Sequence, residues 1–592
     1  MNLAEILKNK IEKSPSQVAI GHSRKGRPIH YNFFDYGEEL RAYILAMQTL
    51  GIKHGDRVAI MGSNSLEWHL TDLSLMMMGA ISIPIYPNTI DSEVIEIVEN
   101  TGADYFFCQD KQQYSQIKKV AQKVQQFILF EEELQTTDIP KNISFLSDLL
   151  AQSKNQELPT FSEISNYTSP DDTATIVYTS GTTDISKAVM FPQSALVAFL
   201  ENIAIFMEGK ITTKDCSLSH LPLSHILGRC DSLLHLSLDS HVFFGNGTTS
   251  FINDLSATKP SFFITVPRIL EKMKERIENH IAAKGLLFKK LYETNRAISK
   301  NYHSKIASGQ GPSTLEKQAY IYSQKYFFKP IKDQISPHIR FIVSGGAPLS
   351  KSLFYFFQDL GIPILEGYGL TETLGPCTFN PFEKPKAASV GIPLPHTEIE
   401  IDDDGEILIK SPSIFSQYLS GEYDDAEFTD DGFFKTGDIG HLDEDNYLYI
   451  TDRKKDLIIT SGGKNVAPQK IEVLMCERPH ISQFMVVGDK KKYLSGLVGI
   501  SKENFRELFE DGLLKSHLSV EELASRVGIQ ELIQMEIDDV NKLLPKYEQI
   551  RHFRILPIDI TDNRQFMTPS GKVKKARLYN KFTALVDSMY HD

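Results

Sequence analysis

Cysteine is scarce in this sequence, and each cysteine is isolated from the others. Five cysteines are spread over 592 residues, at positions 108, 216, 230, 377 and 476. No two stand at the spacing of a structural zinc site, and their density is far below that of a disulfide-stabilised secreted domain. Both classes are therefore excluded, and we expect a protein of the reducing cytoplasm.

The sequence also lacks long apolar runs and a surplus of positive charge. Its longest apolar stretch, LMMMGAISIPIYP at 75–87, contains two prolines and is too short to span a bilayer. The start, MNLAEILKNKIEKSP, does not have the apolar core of a signal peptide. A formal net charge of −13 argues against nucleic acid as a partner, because phosphate backbones bind to basic surfaces. We expect a soluble protein, at most in peripheral contact with a membrane surface.

What the chain does have is an ordinary globular composition and a length that exceeds one hydrophobic core, so two or more domains are expected. In its N-terminal half, β-rich runs at 56–62, 81–87, 103–108 and 174–180 alternate with helical patterns. Such alternation predicts βαβ units, and therefore an α/β fold with mainly parallel sheets.

Three later segments predict the domain organisation. Helical periodicity from 267 to 334, with a break at SGQGPS, predicts a helical insertion, and EIEIDDDGEILIKS at 398–411 predicts a hairpin around an acidic turn. The charged segment TDRKKD at 451–456 precedes a tail with its own strands and helices, of the size of a small domain. We therefore predict a large domain at 1–453, a hinge near 453–456 and a small domain at 456–592.

The segment YTSGTTDISKAVM, at 178–190, follows an apolar β-like run and combines hydroxyl side chains with glycine. Hydroxyls and an unhindered backbone can approach an anion closely, so this loop could hold phosphate. It is not the P-loop of mononucleotide-binding proteins, because the pattern GxxxxGK[ST] would need glycine where Ser186 stands. Taken alone, a Ser/Thr/Gly loop after a strand is more often a plain turn.

Seven further motifs follow this loop along the chain. They are LPLSHI (221–226), VPRILEKM (266–273), SGGAPL (344–349), EGYGLTET (366–373), FKTGD (434–438), TDRKKDLIITSGGKNVAPQKIE (451–472) and TPSGKVKK (568–575). With the loop, the set resembles the adenylate-forming superfamily of acyl- and aryl-CoA synthetases, luciferases and peptide-synthetase adenylation domains. The resemblance runs from about Ile29 to Arg577. NSLEWHL, MMMGAISIPIYPNT and the helical insertion are similar to long-chain fatty acyl-CoA synthetases in particular.

The resemblance implies a fold and a reaction. The fold would be a large N-terminal domain of mainly parallel β-sheets flanked by helices, with a small mobile C-terminal α+β domain. The reaction would be ATP-dependent adenylation of a fatty acid to acyl-AMP and pyrophosphate, followed by thioester formation with CoA. Mg²⁺ would accompany ATP. The oligomeric state is left undetermined.

The resemblance also implies the residues of the site. Contacts to ATP or CoA are implied at Thr179, Ser180, Gly181, Thr182, Thr183, Lys187, Gly345, Ala347, Pro348, Gly367, Tyr368, Gly369, Asp438, Arg453 and Gly462. Catalytic roles are implied for Lys572, Thr371, Glu372 and His225, and Glu372 would also hold Mg²⁺. Lys455 matches the hinge about which the small domain would rotate, withdrawing Lys572 and bringing Gly462 to a pantetheine tunnel. Lys574 and Lys575 are expected to be solvated.

Each of these side chains also has a plainer interpretation on the residues alone. Tyr368, between glycines, could lie against a base or be a core tyrosine, and Asp438 could accept the ribose hydroxyls or belong to a turn. Arg453 and Lys572 could contact the nucleotide or be solvated, and His225 could be structural. The resemblance favours the functional role, in which the Lys572 charge offsets negative charge on the departing pyrophosphate.

The loop departs from the family pattern, TSGTTG-x-PKG, at Asp184, Ser186 and Ala188. A carboxylate about 6 Å from a phosphate charge would cost roughly 3 kcal/mol at an effective dielectric of about 20, and less than about 1 kcal/mol if fully solvated. Asp tolerates positive φ better than most residues, so the loop can keep its form. Our hypothesis is that ATP binding is weakened but not abolished, because Lys572 and the remaining hydroxyls are retained.

Two other functions stay open on the sequence alone. A fatty acyl-AMP ligase would pass the acyl group to a carrier protein, although the hinge and SGGKN segments show no extra insertion that would block the second conformation. A catalytically silent acyl- or nucleotide-binding protein would explain the altered TSGTTDISKA loop. Retention of Glu372, Asp438, Arg453 and Lys572 argues against it.

Overall fold

The computed structural model describes residues 1–24, 27–131, 142–179, 187–248, 250–420, 427–505, 508, 518–561, 563, 565–568 and 572–590. The chain divides into two compact units. The larger comprises Met1–Thr179, Lys187–Glu398 and Ile409–Ala426, and the smaller comprises mainly Ile399–Leu408 and Glu427–Asp592. In the described parts of the chain, no helix is both long and apolar enough to cross a bilayer.

The strands are, in chain order, β1 (Val18–Arg24), β2 (Arg27–Asn32), β3 (Arg57–Met61), β4 (Ile81–Ile85), β5 (Tyr105–Cys108), β6 (Gln126–Leu129), β7 (Ile143–Phe145), β8 (Thr173–Tyr178), β9 (Ala188–Pro192), β10 (Cys216–Ser219), β11 (His241–Phe244), β12 (Ile264–Thr265), β13 (Ile342–Ser344), β14 (Ile364–Tyr368), β15 (Thr378–Phe379), β16 (Ile392–Pro393), β17 (Glu398–Ile401), β18 (Glu406–Lys410), β19 (Gln417–Tyr418), β20 (Phe434–Leu442), β21 (Leu448–Arg453), β22 (Ile458–Ile459), β23 (Asn465–Val466), β24 (Gln483–Val487), β25 (Leu494–Gly499) and β26 (Ile550–Ile555).

The helices are α1 (Leu3–Lys13), α2 (Phe33–Leu50), α3 (Leu66–Met77), α4 (Asp91–Thr101), α5 (Lys111–Ile117), α6 (Leu146–Ser153), α7 (Phe161–Ile164), α8 (Gln193–Phe206), α9 (Ile226–Leu233), α10 (Phe251–Thr258), α11 (Pro267–Ala283), α12 (Leu286–Ala307), α13 (Thr314–Tyr322), α14 (Lys329–Ile335), α15 (Lys351–Asp359), α16 (Pro468–Cys476), α17 (Val520–Ala524), α18 (Val527–Asn541), α19 (Lys575–Lys581) and α20 (Thr583–Asp587).

The largest sheet of the larger unit has eight strands in the order β19-β9-β8-β4-β3-β5-β6-β7. Neighbours from β8 to β7 run parallel, whereas β9 and β19 extend the sheet in antiparallel pairs. The central runs RVAIM, ISIPI and YFFC are buried almost throughout, as expected of parallel strands covered on both faces. The prediction of mainly parallel sheets is confirmed here.

Two smaller sheets accompany it in the same unit. One has the order β10-β11-β1-β2 and the other the order β12-β13-β14-β15-β16. In the second sheet β12, β13 and β14 run parallel, and β15 and β16 run antiparallel. The loop candidate therefore follows β8, the SGG segment follows β13, and the YGLTE segment follows β14. All three lie at carboxyl ends of strands in parallel pairs, where open α/β sheets bind their ligands.

The helical insertion predicted at 267–334 is present as α11 to α14, with a π-helical segment at Ser323–Phe328. It shares an apolar core with α15, to which Leu270, Phe328 and Phe354 contribute. The predicted break at SGQGPS separates α12 from α13. A second break, which the sequence analysis missed, lies at Gly285, whose φ of +89° separates α11 from α12.

The described part of the smaller unit contains the sheet β17-β18-β20-β21, the pair β22-β23 and the sheet β24-β25-β26. The hairpin predicted at 398–411 is confirmed, since β17 and β18 are neighbours and Gly405, with φ +87°, donates its N–H to the Asp402 carbonyl oxygen. Ile471 of α16 and Ile533 of α18 are buried in one apolar core. The predicted hinge at 453–456 begins at the last residue of β21, and motion about it stays a prediction.

Candidate active site

The base of the phosphate-loop candidate is closed by two hydrogen bonds. Thr179, directly after β8, donates its N–H to the Lys187 carbonyl oxygen at 2.9 Å. Lys187 donates its own N–H to Thr179 Oγ1 at 3.1 Å. The antiparallel pairing of β8 and β9 continues from this point and fixes where the loop leaves and rejoins the sheet. The predicted contacts at Ser180, Gly181, Thr182 and Thr183 lie outside the described residues, as do Asp184 and Ser186.

Lys187 contacts an aromatic ring that the sequence analysis missed. Its Nζ lies 4.5 Å from the centroid of the Tyr418 ring, which is a cation–π distance. The Tyr418 hydroxyl donates to Glu372 Oε1 at 3.3 Å. One tyrosine therefore links the lysine of the loop to the carboxylate predicted to hold Mg²⁺. No motif surrounds Tyr418, and the pairing of β19 with β9 brings it here.

Thr371 and Glu372 lie in a half-buried turn that follows β14. Hydrogen bonds hold the backbone of this turn on two sides. Thr373 Oγ1 accepts the N–H of Leu370 at 2.8 Å, and the Glu372 carbonyl oxygen accepts the N–H of Phe415 at 2.9 Å. Both predicted catalytic side chains of this motif therefore project from a fixed backbone.

Tyr368, the predicted adenine platform, is the last residue of β14 and is 8% exposed. The glycines on either side of it are required by close packing. A Cβ on Gly369 would lie 1.8 Å from the Gly375 carbonyl oxygen, and a Cβ on Gly367 would lie 2.9 Å from Phe379 Cδ2. Any larger residue at position 369 would displace the backbone next to Tyr368.

The SGG turn after β13 brings its backbone close to β14. Gly345 donates its N–H to the Thr265 carbonyl oxygen at 3.1 Å, and a Cβ at Gly345 would lie 3.6 Å from the Gly367 carbonyl oxygen. Ala347 and Pro348 follow on an exposed loop. The predicted contacts at Gly345 and Gly367 are therefore adjacent in the fold.

Three buried polar side chains form a row beside this turn. Thr265, Ser344 and Glu366 are paired neighbours on β12, β13 and β14. Thr265 Oγ1, Ser344 Oγ and Glu366 Oε2 each lack a hydrogen-bond partner among the described residues, although Glu366 Oε1 accepts the N–H of Leu349 at 3.0 Å. Burial raises the pKa of Glu366 to about 8, so its carboxyl carries a proton at neutral pH. Buried polar atoms normally find partners, so this row fits a surface that meets ligand or water.

His225 caps the N-terminus of α9. Its Nδ1 accepts the N–H of Leu227 at 3.1 Å, so the neutral imidazole carries its proton on Nε2. Its ring lies edge-on to Tyr86, with centroids 6.3 Å apart. Helix α9 is anchored through Arg229, whose Nε donates to the buried Asp72 carboxylate at 2.8 Å. The cap and the buried ion pair together fix the position of the imidazole.

On the smaller unit, Asp438 and Arg453 are cross-strand partners on β20 and β21. Arg453 Nε lies 3.2 Å from Asp438 Oδ1, and the aspartate side chain is 5% exposed. The preceding Gly437 has φ +70° and donates its N–H to Glu406 Oε1 at 2.8 Å. The two residues that the resemblance assigns to the ribose are therefore in contact with each other.

Lys455, the predicted hinge residue, lies in a short 3-10 turn after β21. Its neighbour Lys454 is paired with Asp404 at 2.5 Å and with Glu406 at 2.7 Å, and these hydrogen bonds raise the pKa of Lys454. Lys455 lines a cavity of about 610 Å³ together with 456–461 and 489–490. Gly462, the predicted pantetheine contact, directly follows this stretch in the turn between β22 and β23.

Lys572 is half-buried, and its backbone pairs with Thr568. Thr568 donates its N–H to the Lys572 carbonyl oxygen at 2.7 Å, and Lys572 donates its N–H to Thr568 Oγ1 at 2.9 Å. Lys575, expected to be solvated, instead forms an ion pair with Glu472 at 2.8 Å. Burial alone would lower the pKa of Lys575, but the Glu472 carboxylate raises it. The expectation of solvation is therefore wrong for Lys575, because α16 presents a carboxylate to it.

No group of three or more acidic, histidine or cysteine side chains is close enough to hold a metal ion in the described part of the chain. A single carboxylate such as that of Glu372 is sufficient for Mg²⁺, because this ion commonly binds one or two carboxylates and substrate phosphates while it keeps water ligands. Two of the five thiols do not offer a nucleophile. Burial raises the pKa of Cys216 and of Cys230 to about 12, so both stay protonated at neutral pH.

Two family models match the chain along most of its length. The model of AMP-binding enzymes matches residues 7–419, and that of the AMP-binding enzyme C-terminal domain matches residues 455–592. The chain belongs to the AMP-binding enzyme family. The predicted resemblance is confirmed at this level.

Individual relatives and solved structures are similar over nearly the whole chain. The long-chain-fatty-acid–CoA ligase FadD15 of Mycobacterium bovis is 32% identical over 93% of this chain and 91% of its own length. The anthranilate CoA ligase AuaEII in complex with anthranoyl-AMP has a TM-score of 0.74 at 16% identity, covering 99% of this chain and 98% of that one. The Bacillus subtilis o-succinylbenzoate CoA synthetase in complex with ATP and magnesium ion has a TM-score of 0.67 at 21% identity, covering 97% and 98%. These structures confirm the predicted fold class of a large α/β domain with a small second domain.

Proposed function

We propose that the protein is a long-chain fatty acid–CoA ligase, which activates a fatty acid with ATP and transfers the acyl group to CoA. The observation that carries the proposal is the link from Lys187 through Tyr418 to Glu372. One tyrosine side chain contacts both the cation of one predicted ATP-binding motif and the carboxylate of another. Support for a long-chain substrate comes from FadD15, which is named for that activity and matches nearly the whole of both chains.

In the first step, a carboxylate oxygen of the fatty acid attacks the α-phosphorus of ATP. A phosphorus–oxygen bond forms, the bond from the α-phosphorus to the bridging oxygen breaks, and acyl-AMP and pyrophosphate result. Lys187 and the hydroxyls of Thr179 and Thr371 supply positive charge and donors for phosphate oxygens. Glu372 would hold Mg²⁺, which neutralises phosphate charge when it is bound. Lys572 is assigned, on its motif alone, to offset charge on the departing pyrophosphate.

In the second step, the sulfur of CoA attacks the acyl carbonyl and gives up its proton to solvent. A carbon–sulfur bond forms, the bond from the acyl carbon to the AMP oxygen breaks, and acyl-CoA and AMP leave. We assign Tyr368 to the adenine, Asp438 and Arg453 to the ribose, and His225 to the acyl side of the site. The protein contributes positioning and charge stabilisation without a covalent intermediate.

The test measures pyrophosphate and acyl-CoA made by purified protein with Mg·ATP and palmitate, with and without CoA. Lys572→Ala is the loss variant, and Lys574→Ala is the matched control in the same motif. We expect release that Lys572→Ala abolishes and Lys574→Ala leaves nearly unchanged. With CoA present, one acyl-CoA should form for each pyrophosphate.

Two results would contradict the proposal in different ways. Release without acyl-CoA, accompanied by acyl transfer to an acyl carrier protein, would replace CoA as the acceptor and favour a fatty acyl-AMP ligase. No release with fatty acids over a range of chain lengths would favour a catalytically silent binding protein.

A further inference from the structure

We propose that the turn between α11 and α12, together with the start of α12, docks the protein on an anionic lipid surface. The docking surface, which we call the leucine tip, consists of Lys284, Leu286, Leu287, Lys289, Lys290 and Leu291. This inference rests on the proposed function in one respect, since a long-chain fatty acid is delivered from membranes. The contacts and charges that carry it do not depend on the reaction.

The leucine tip exposes apolar side chains that a soluble protein normally buries. Leu286 and Leu287 are 87% and 86% exposed, the highest values among the large apolar side chains of the described residues. Leu291 is 49% exposed and follows Leu287 by one helical turn. Residues 282–287 are all exposed, so the turn projects from the core of the insertion. Adjacent exposed leucines of this kind mark an interaction site.

The leucine tip stands on a rigid aromatic base. The Phe288 ring lies 5.4 Å from the Phe327 ring, and Lys284 Nζ lies 4.8 Å from the Phe288 centroid. One turn further on, Tyr292 is 5% exposed and contacts the Phe328 ring edge-on. Because the inner side of α12 is fixed in this way, the leucines on its outer side keep their exposure.

The charge around the leucine tip is opposite in sign to that of the whole chain. The insertion at 267–335 contains fourteen Lys and Arg against six Asp and Glu, a net charge of +8, whereas the chain carries −13. The rest of the chain therefore carries −21. Such a protein is attracted to an anionic surface through its insertion and repelled from it elsewhere. The lysines of the tip can keep their ammonium groups at the headgroups while the leucines enter the acyl boundary.

The combination of exposed leucines with local positive charge fits a lipid surface better than a second protein surface. Three leucines within two turns of α12 offer far less area than the roughly 800 Å² per partner that a stable protein interface buries. At a lipid surface, the same small apolar area adds to the attraction between lysines and anionic headgroups. Lipid is therefore the occupant that the exposure and the charge support together.

The experiment measures sedimentation of the full-length protein with vesicles of phosphatidylcholine, with and without phosphatidylglycerol, at low and high salt. One variant combines Leu286→Asp with Leu287→Asp, and a second combines Lys289→Glu with Lys290→Glu. Leu315→Asp is the matched control, because Leu315 is 78% exposed on α13 beside the Lys305–Glu316 ion pair. Lys305 lies about 27 Å along α12 from Leu287 at 1.5 Å per residue.

We expect the wild type and Leu315→Asp to bind the anionic vesicles equally, with weaker binding at high salt. Both tip variants should bind about tenfold more weakly or not at all. Unchanged binding by the tip variants, or no binding of the wild type to anionic vesicles, would overturn the proposal. So would a dimer in light scattering that the leucine variant converts to a monomer, because a second copy would then occupy the tip.

Docking and catalysis can fail separately in this design. Binding is measured without ATP and CoA, and Lys572→Ala should bind vesicles as the wild type does. Ligase activity of the tip variants is measured on a dissolved medium-chain acid, where it should be unchanged. Absence of ligase activity in the wild type, with palmitate as well as with this acid, would contradict the proposed function and leave the docking result intact.

Discussion

The Lys187 ammonium lies over the Tyr418 ring at 4.5 Å, and the hydroxyl of the same tyrosine reaches Glu372. A cation over a phenol ring is stabilised by about 0.5 to 2 kcal/mol, depending on its exposure to water. The contact therefore holds the lysine where the loop rejoins β9, and joins it to a motif that lies far away in sequence. Tyr418 belongs to neither motif.

Replacement of Tyr418 should weaken ATP binding in two separable steps. Tyr418→Phe keeps the ring under Lys187 but removes the hydrogen bond to Glu372, and Tyr418→Leu removes both. We expect the KM for ATP to rise about threefold in the first variant and about tenfold in the second. Initial rates of pyrophosphate release against ATP concentration measure both values. Equal effects of the two substitutions would show that the ring contact contributes nothing.

Glu366 should make the larger unit less stable as pH rises. Burial raises its pKa in the folded chain to about 8, from an ordinary value of 4.5, so between these values the folded chain holds a proton that the unfolded chain has lost. This stabilisation is complete below the pKa of Glu366 in the unfolded chain and is lost as pH rises through its pKa in the folded chain. The free energy of unfolding should fall by about 1.4 kcal/mol per pH unit in that window.

Glu366→Gln should remove this fall, because the amide has no proton to lose. Urea unfolding between about pH 5 and 8, followed by fluorescence, measures the effect. Trp68 is the single tryptophan, is fully buried and lies in the larger unit with Glu366. Glu275→Gln, on an exposed part of α11, is the control and should keep the wild-type slope. The same slope in Glu366→Gln would contradict the assignment.

Removing one partner of the Asp72–Arg229 pair should lower the free energy of unfolding far more than replacing both partners with apolar residues. Both side chains are 2% exposed, and Arg229 also donates to Thr175 Oγ1 on β8. Arg229→Met should lower the free energy of unfolding by about 3 to 5 kcal/mol, because it leaves a buried carboxylate without its partner. The double variant Asp72→Leu with Arg229→Met should recover most of this loss, as Trp68 fluorescence in urea would report. Additive losses in the double variant would contradict the explanation.

Elements with a continuous apolar run or an alternating apolar pattern could be predicted from the sequence. Strands β3, β4 and β5 read as short continuous apolar runs because both of their faces are buried. The hairpin at 398–411 has alternation on both sides of an acidic turn with Gly405, and it forms as expected. The break at Gly285 was missed because a single glycine within a helical pattern is often tolerated.

The parts of the site that could not be predicted depend on register between distant strands. Thr265 and Ser344 end their strands and Glu366 lies within β14, and only the pairing of β12, β13 and β14 aligns these polar residues. The contact of Asp438 with Arg453 likewise follows from the pairing of β20 with β21. Motifs located both residues along the chain, but pairing distances are tertiary information that no local pattern carries.

Asp184 provides the most direct test of the loop hypothesis, which depends on sequence alone. If its charge repels a phosphate of ATP, both Asp184→Gly and Asp184→Asn should lower the KM for ATP, because both remove the carboxylate. The gain should not exceed about a hundredfold, the equivalent of roughly 3 kcal/mol, and added salt should narrow it by screening. A gain in Asp184→Gly alone would indicate backbone freedom instead of charge. No change in either variant would refute the repulsion argument.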